Sequence, residues 1–191
     1  MKLNRDFYRR NDVVKISTDL LGKILCTRID GKLTSGIITE TEAYAGETDK
    51  ASHAYGGKRT NRTEPMFAEG GTAYVYLCYG IHHLFNVVTN VEGIPHAVLI
   101  RAIKPEHGLD QMLIRRNKLQ VDKTLCAGPG TVSASLGIHT IHTGTKLTGK
   151  MIWIEDRGIK VNRSMITAGP RVGVDYAGKD AFLPWRFRIS I

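Results

Sequence analysis

The chain has 191 residues, with 27 Lys and Arg against 18 Asp and Glu, a formal net charge of +9 and a pI near 9.6. That length suits one domain with a sizeable core, and no apolar run approaches the ~18–20 residues of a membrane-spanning helix. Such a charge excess favours a polyanionic partner, and it does not choose among DNA, RNA and an anionic membrane surface.

Residues 11–23, NDVVKISTDLLGK, carry an apolar stripe (Val13, Val14, Ile16, Leu20, Leu21) that predicts a helix stopped by Gly22. Residues 24–44 predict two strands around Asp30-Gly31-Lys32, with Glu40, Glu42 and Tyr44 alternating onto one face of the second. Residues 45–71 are polar and glycine-rich, a long loop of the kind that often serves function. TAYVYLCYGIHHLFNVVT, residues 72–89, predicts a hairpin with its tip at Tyr79-Gly80-Ile81-His82. An apolar, aromatic tip is unusual, since exposed turns are mostly polar. In a basic protein it suggests a wedge that unstacks base steps. AVLIRAIKP predicts a strand near 97–103, followed by a helix over roughly 105–118. A Gly-Pro-Gly turn at 128–130 predicts the start of a short helix. MIWIEDRGIKVN, residues 151–162, predicts a further hairpin turning at Arg157-Gly158. The tail, from 169, is irregular and rich in Gly, Arg and aromatic residues. With no repeat and no linker, the expectation is one α+β domain spanning 1–191, a curved antiparallel sheet with flanking helices and a protruding hairpin.

Three cysteines, Cys26, Cys78 and Cys126, form no CxxC pair and are expected as reduced thiols in a cytosolic protein, the N-terminus having no apolar signal core. His82-His83 and the pair His139 and His142 invite a metal reading. Neighbouring strand residues face opposite ways and the second pair lacks a third ligand, so no metal site is expected. From spacing alone, TETEAYAG reads as a solvent-facing strand edge whose charges oppose aggregation. The alternative is a carboxylate positioned against an aromatic wall to activate water, and periodicity leaves Glu40 and Glu42 equally eligible. Arg101, ending an apolar strand, is a candidate buried ion-pair partner. The run RRNK at 115–118 reads as a solvated helix end, and Lys104 is the nearest candidate for a Schiff-base nucleophile.

Five blocks, TETEAYAGETDKASHAYGG, GTAYVYLCYGIHHLFNVVT, AVLIRAIKP, CAGPG and GPRVGVDYAG, together resemble the alkyladenine (3-methyladenine) DNA glycosylase family, in the order the family has them and over nearly the whole chain. The resemblance implies a compact bacterial-type member without the N-terminal extension of mammalian forms. It implies a monofunctional glycosylase that needs no cofactor and removes 3-methyladenine, 7-methylguanine, hypoxanthine and ethenoadenine from double-stranded DNA. It would act as a monomer in the cytoplasm, associated with the nucleoid. By the same resemblance Glu42 is the general base, and Arg101 and the backbone of Val172 hold the attacking water. Tyr44 and Tyr76 sandwich the flipped base, His53 bonds its edge, Asn86 crowds out normal guanine, and Tyr79 is the intercalating wedge. Ile81 and His82 depart from the larger residues of the human-type tip that grips the opposite strand, and the loop between Asn86 and Arg101 is slightly longer than in the human-type pattern, so lesion preference is expected to differ. The alternative to an enzyme is a non-catalytic basic nucleic-acid-binding domain.

Overall fold

The computed structural model describes residues 1–191. Its strands are β1 (Ile24–Ile29), β2 (Lys32–Tyr44), β3 (Ala73–Cys78), β4 (His82–Thr89), β5 (His96–His107), β6 (Ile152–Glu155), β7 (Thr167–Gly169) and β8 (Arg186–Arg188). Four short helices accompany them: α1 (Arg5–Tyr8), α2 (Val13–Asp19), α3 (Leu109–Arg116) and α4 (Pro129–Leu136). The strands form one curled antiparallel sheet in the order β3-β4-β5-β2-β1-β6, with β8 joining β2 and β7. This is the expected α+β architecture. No helix is long and apolar enough to cross a membrane.

The predicted turn between β1 and β2 forms at Asp30 and Gly31, whose φ values of 53° and 72° match the primed turns that suit strand twist. Strand β2 is the spine. Its first half pairs with β1, nearly its whole length pairs with β5, and its last residues pair with β8. Register shifts around Glu40 bend it, as an extra residue on one strand does. Pairing on both sides overturns the edge-strand reading of TETEAY.

Helix α2 lays Val13 and Ile16 on the sheet, and Asp12 caps it by accepting from the Lys15 N–H. The main core draws on this helix, on β1, β2 and β5, and on Val132 and Leu136 of α4. Gly130 brings the start of α4 against the His82 ring, where a Cβ would lie 2.9 Å from Nδ1.

Three expectations need correction. Strand β5 runs on to His107, so the helix over 105–118 begins only at Leu109. The hairpin over 151–162 does not form. The flank of β6 where its second strand would lie is taken by the N-terminal residues, with the Leu3 N–H donating to the Ile154 carbonyl and the Asp156 N–H to that of Met1. Finally, Arg115 is no solvated helix end. Its guanidinium donates to the Ser135 and Ile29 carbonyls and the Thr34 hydroxyl, tying α3 to α4 and the first turn of the sheet.

Candidate active site

Sheet register assembles the site. Tyr74 on β3 pairs with Asn86 on β4, Asn86 with Leu99 on β5, and Leu99 with Glu42 on β2. One transverse row therefore runs from an aromatic to a carboxylate across four strands. A cavity of about 610 Å³ opens over it, within the usual size of a small-ligand site. Tyr44, His53, Tyr76, Tyr79, Asn86, Arg101 and Val172 all line this cavity. Seven of the eight sequence-predicted residues thus meet in one place, drawn from four strands, two loops and the hairpin tip.

The eighth, Glu42, stands just behind that wall. It has no solvent exposure, and its neighbours reach it from three directions. The Tyr44 hydroxyl donates to Oε2 at 2.8 Å, the Val172 N–H donates to Oε1 at 2.8 Å, and Arg101 Nη1 lies 3.4 Å from Oε1. An ionised carboxylate offers about four acceptor sites, so with two hydrogen bonds made and Arg101 in ion-pair reach there is room for a further donor. Tyr44 is kept a phenol, because burial first and the Glu42 charge second push its pKa well above the ordinary value.

Glu40 is engaged differently. Its Oε1 accepts from Arg101 Nε at 2.9 Å and from Arg186 Nε at 2.6 Å. Arg101, mostly but not fully buried, consequently bridges the two glutamates, the ion-pair partner that its place after an apolar run suggested.

Tyr76 sits 5.5 Å from Tyr74, ring centre to ring centre, and 4.6 Å from His53. His53 Nδ1 lies 2.9 Å from the Tyr74 hydroxyl. Burial, helped by the nearby Arg62 charge, lowers the His53 pKa to about 4, so the ring is neutral near pH 7. Asn86 is buried and spends its amide on the Tyr74 and Leu84 carbonyls. Tyr79 and Ile81 stand out at the hairpin tip, 89% and 70% exposed. Tyr79 and Gly80 make the turn with φ of 51° and 73°, while His82 already belongs to β4. Lys104 is exposed on β5 and lies outside the cavity wall.

Sequence reading missed Arg171 and Asp49. They form an ion pair with no side-chain exposure, Nη2 to Oδ1 at 2.9 Å. The Arg171 guanidinium also lies 4.8 Å from the Tyr44 ring centre and 5.2 Å from that of Trp185, and it donates to the Ala43 carbonyl. It thereby fastens the segment whose next residue, Val172, holds Glu42. The only signal in the sequence was an arginine within an otherwise irregular tail.

A carboxylate held by fixed donors behind a cavity walled by phenol rings is the equipment of a hydrolase of N-glycosyl bonds, whose transition state is a cationic sugar beside a flat leaving group. Comparison with known proteins places that class more closely. The family model described as Methylpurine-DNA glycosylase (MPG) matches residues 6–190, and the chain belongs to that family. A relative from Chlamydia felis (strain Fe/C-56) is 47% identical over 190 residues, covering 99% of this chain and 96% of its own. One from Bacillus thuringiensis (strain Al Hakam) is 44% identical over 195 residues, and one from Clostridium perfringens (strain 13 / Type A) is 41% identical over 198. These cover 98% and 100% of this chain, and 95% and 96% of the relatives. All three carry the name "Putative 3-methyladenine DNA glycosylase".

Proposed function

We propose that this protein is a base-excision-repair glycosylase that flips alkylated or deaminated purines out of duplex DNA and hydrolyses their N-glycosyl bond. Its substrates are 3-methyladenine, 7-methylguanine, hypoxanthine and ethenoadenine. C1′ of a stacked nucleotide cannot be reached inside a duplex, so the nucleotide must leave the helix at a cost of a few kcal/mol, least for a damaged pair. Tyr79 fills the vacated stack. The flipped base enters between Tyr44 and Tyr76, where stacking is worth ~1–3 kcal/mol. Asn86, held on the cavity floor, crowds the exocyclic amine of normal guanine, and His53 faces the base edge.

The observation that carries this reading is the setting of Glu42. Its two hydrogen bonds and the Arg101 ion pair leave room for a further donor, and Tyr44, Arg101 and Val172 stand between it and the cavity. A water admitted among those three residues can give its proton to Glu42 as it attacks C1′, while the carboxylate charge stabilises the oxocarbenium-like sugar. 3-Methyladenine and 7-methylguanine leave readily because their rings are already cationic in the nucleotide, whereas ethenoadenine is neutral. Hypoxanthine must gain a proton as it leaves.

The test is incubation of the protein with duplexes that each carry one of these bases, followed by alkaline strand scission. Scission at the lesion, with no scission in undamaged duplex and no product trapped by borohydride, is the expected result. Unbroken strands for every lesion would leave only a nucleic-acid-binding role.

A further inference from the structure

Arg62 is a cation at the cavity without an anion. The nearby acid, Glu64, is taken through both oxygens by Arg59, at 2.7 Å and 2.7 Å. No carboxylate lies within ion-pair reach of Arg62 itself. Instead its guanidinium sits 5.1 Å from the Tyr76 ring centre, and Nη2 donates to His53 Nε2 at 3.4 Å. It is exposed at the mouth and lines the same cavity as Tyr44 and Tyr76.

That contact decides the state of His53. A guanidinium can only donate, so Nε2 must carry a lone pair. The ring proton then belongs to Nδ1, where it is directed at the Tyr74 hydroxyl 2.9 Å away. Both nitrogens are spent, and His53 has no free N–H to offer a base. Arg62 keeps unspent donors on this side of the cavity, beside the Tyr74 and Tyr76 hydroxyls, and alone among these groups it carries a positive charge.

Their geometry selects among purines. The arginine fork matches the O6 and N7 acceptors of a 6-oxopurine, the pairing by which arginine reads guanine in a groove. Hypoxanthine carries that edge intact and is neutral. In 7-methylguanine N7 is blocked and the ring is cationic, and 3-methyladenine has an amino group in place of O6. A fixed positive charge beside the pocket opposes any cationic base and so works against the cation–π preference of the tyrosine walls.

We propose that Arg62 is a specificity-determining residue, donating to the O6/N7 edge of a flipped neutral 6-oxopurine and holding His53 as a hydrogen-bond acceptor. The inference rests on the base-excision reading above. When Arg62 turns from His53 to the base, it releases the Nε2 lone pair, which then accepts from a purine N–H.

Single-turnover excision of hypoxanthine and of 7-methylguanine from otherwise identical duplexes tests it, in the full chain and in Arg62→Met and Arg62→Lys. The methionine keeps the stem without the charge or the donors; the lysine keeps the charge without the fork. In Arg62→Met the ratio of hypoxanthine to 7-methylguanine excision should fall at least about tenfold, the worth of a bidentate pair, with Arg62→Lys between it and the parent. Histidine ¹⁵N shifts should also show His53 leaving the Nδ1–H form in Arg62→Met only. An unchanged ratio, or one equal loss for both bases, overturns the role of Arg62 while leaving excision itself in place. Absence of excision by the unsubstituted protein overturns the base-excision reading and the specificity role with it. Should Arg62→Met not fold, the Arg62→Lys ratio decides, and a ratio equal to the parent's overturns the proposal.

Discussion

Glu42 and Tyr79 lie at two ends of one site and are held in opposite ways. Glu42 is dry, gripped by a hydroxyl, a backbone N–H and a guanidinium, on a strand paired on both flanks. Tyr79 is bare, on a two-stranded projection whose tip touches little. A group that must act on a proton gains from donors fixed in place before substrate arrives, because nothing then has to reorganise during the reaction. A group that must enter a partner gains from having none of its own. The apolar surface left exposed at Tyr79 and Ile81 is satisfied only by something outside the chain.

Substitutions can break that contrast. The largest effect should follow Glu42→Gln, which keeps the shape but neither accepts the proton nor carries the charge. Single-turnover excision should fall ~10²–10⁴-fold while binding to lesion duplex survives. Glu40→Gln should lose far less, since Glu40 reaches the cavity only through Arg101. A folded Glu42→Gln protein that excises at the parent rate would falsify the assignment of the base.

Asp49→Asn tests whether the rigid end depends on its hidden fastening. It leaves Arg171 buried without its anion, and removing one member of such a pair costs about 3–5 kcal/mol. Denaturant unfolding should show that loss, and the slower excision that accompanies it should recover in Asp49→Glu only in part. A midpoint equal to the parent's would mean the pair is dispensable.

Tyr79→Ala tests the other end. The side chain packs against nothing that folding requires, so stability should not move. Affinity for lesion duplex should drop about tenfold, the worth of one stacked ring, and excision from single-stranded DNA should suffer less. Equal losses in both settings would make Tyr79 a packing residue.

The smallest effect is a pH slope. His53 has a folded-state pKa of about 4 against an ordinary 6.5, so the unfolded chain binds the extra proton between those values. Stability is therefore unaffected by this group above pH ~6.5 and is lost as pH falls toward ~4. His83, His96 and His142 are lowered too, each chiefly by burial, and add to the slope. His53→Gln should flatten it by about one proton; an unaltered slope would mean the imidazole titrates freely.

Much of this was legible in the residues. The Asp30-Gly31 turn, the aromatic hairpin and the Gly-Pro-Gly helix start are local signals, and local signals survive folding. The hairpin over 151–162 failed because β6 found a non-local partner at the chain's beginning, which no window around Arg157-Gly158 contains. Spacing put Glu40 and Glu42 on one face but could not tell that β2 is interior, so burial of Glu42 had to come from the sheet order. Arg171 and Asp49, 122 residues apart, were invisible for the same reason. The family resemblance supplied roles by position; it carried no sign of Arg62, whose meaning lies in what it touches.

The pairing of β2 has a consequence for time as well as place. Between residues 39 and 43 the strand is bonded to β5 on one side and to β8 and its flanks on the other, with Ile189 donating to the Thr39 carbonyl and Ala43 to that of Trp185. A segment held on both edges cannot fray without taking its neighbours along. Its amide hydrogens should exchange with solvent only through opening of the whole molecule, while those of the exposed tip exchange through local fluctuation. On that expectation the Glu42 carboxylate rides on a slow-opening part of the chain, and its donors should stay in place for as long as the sheet does.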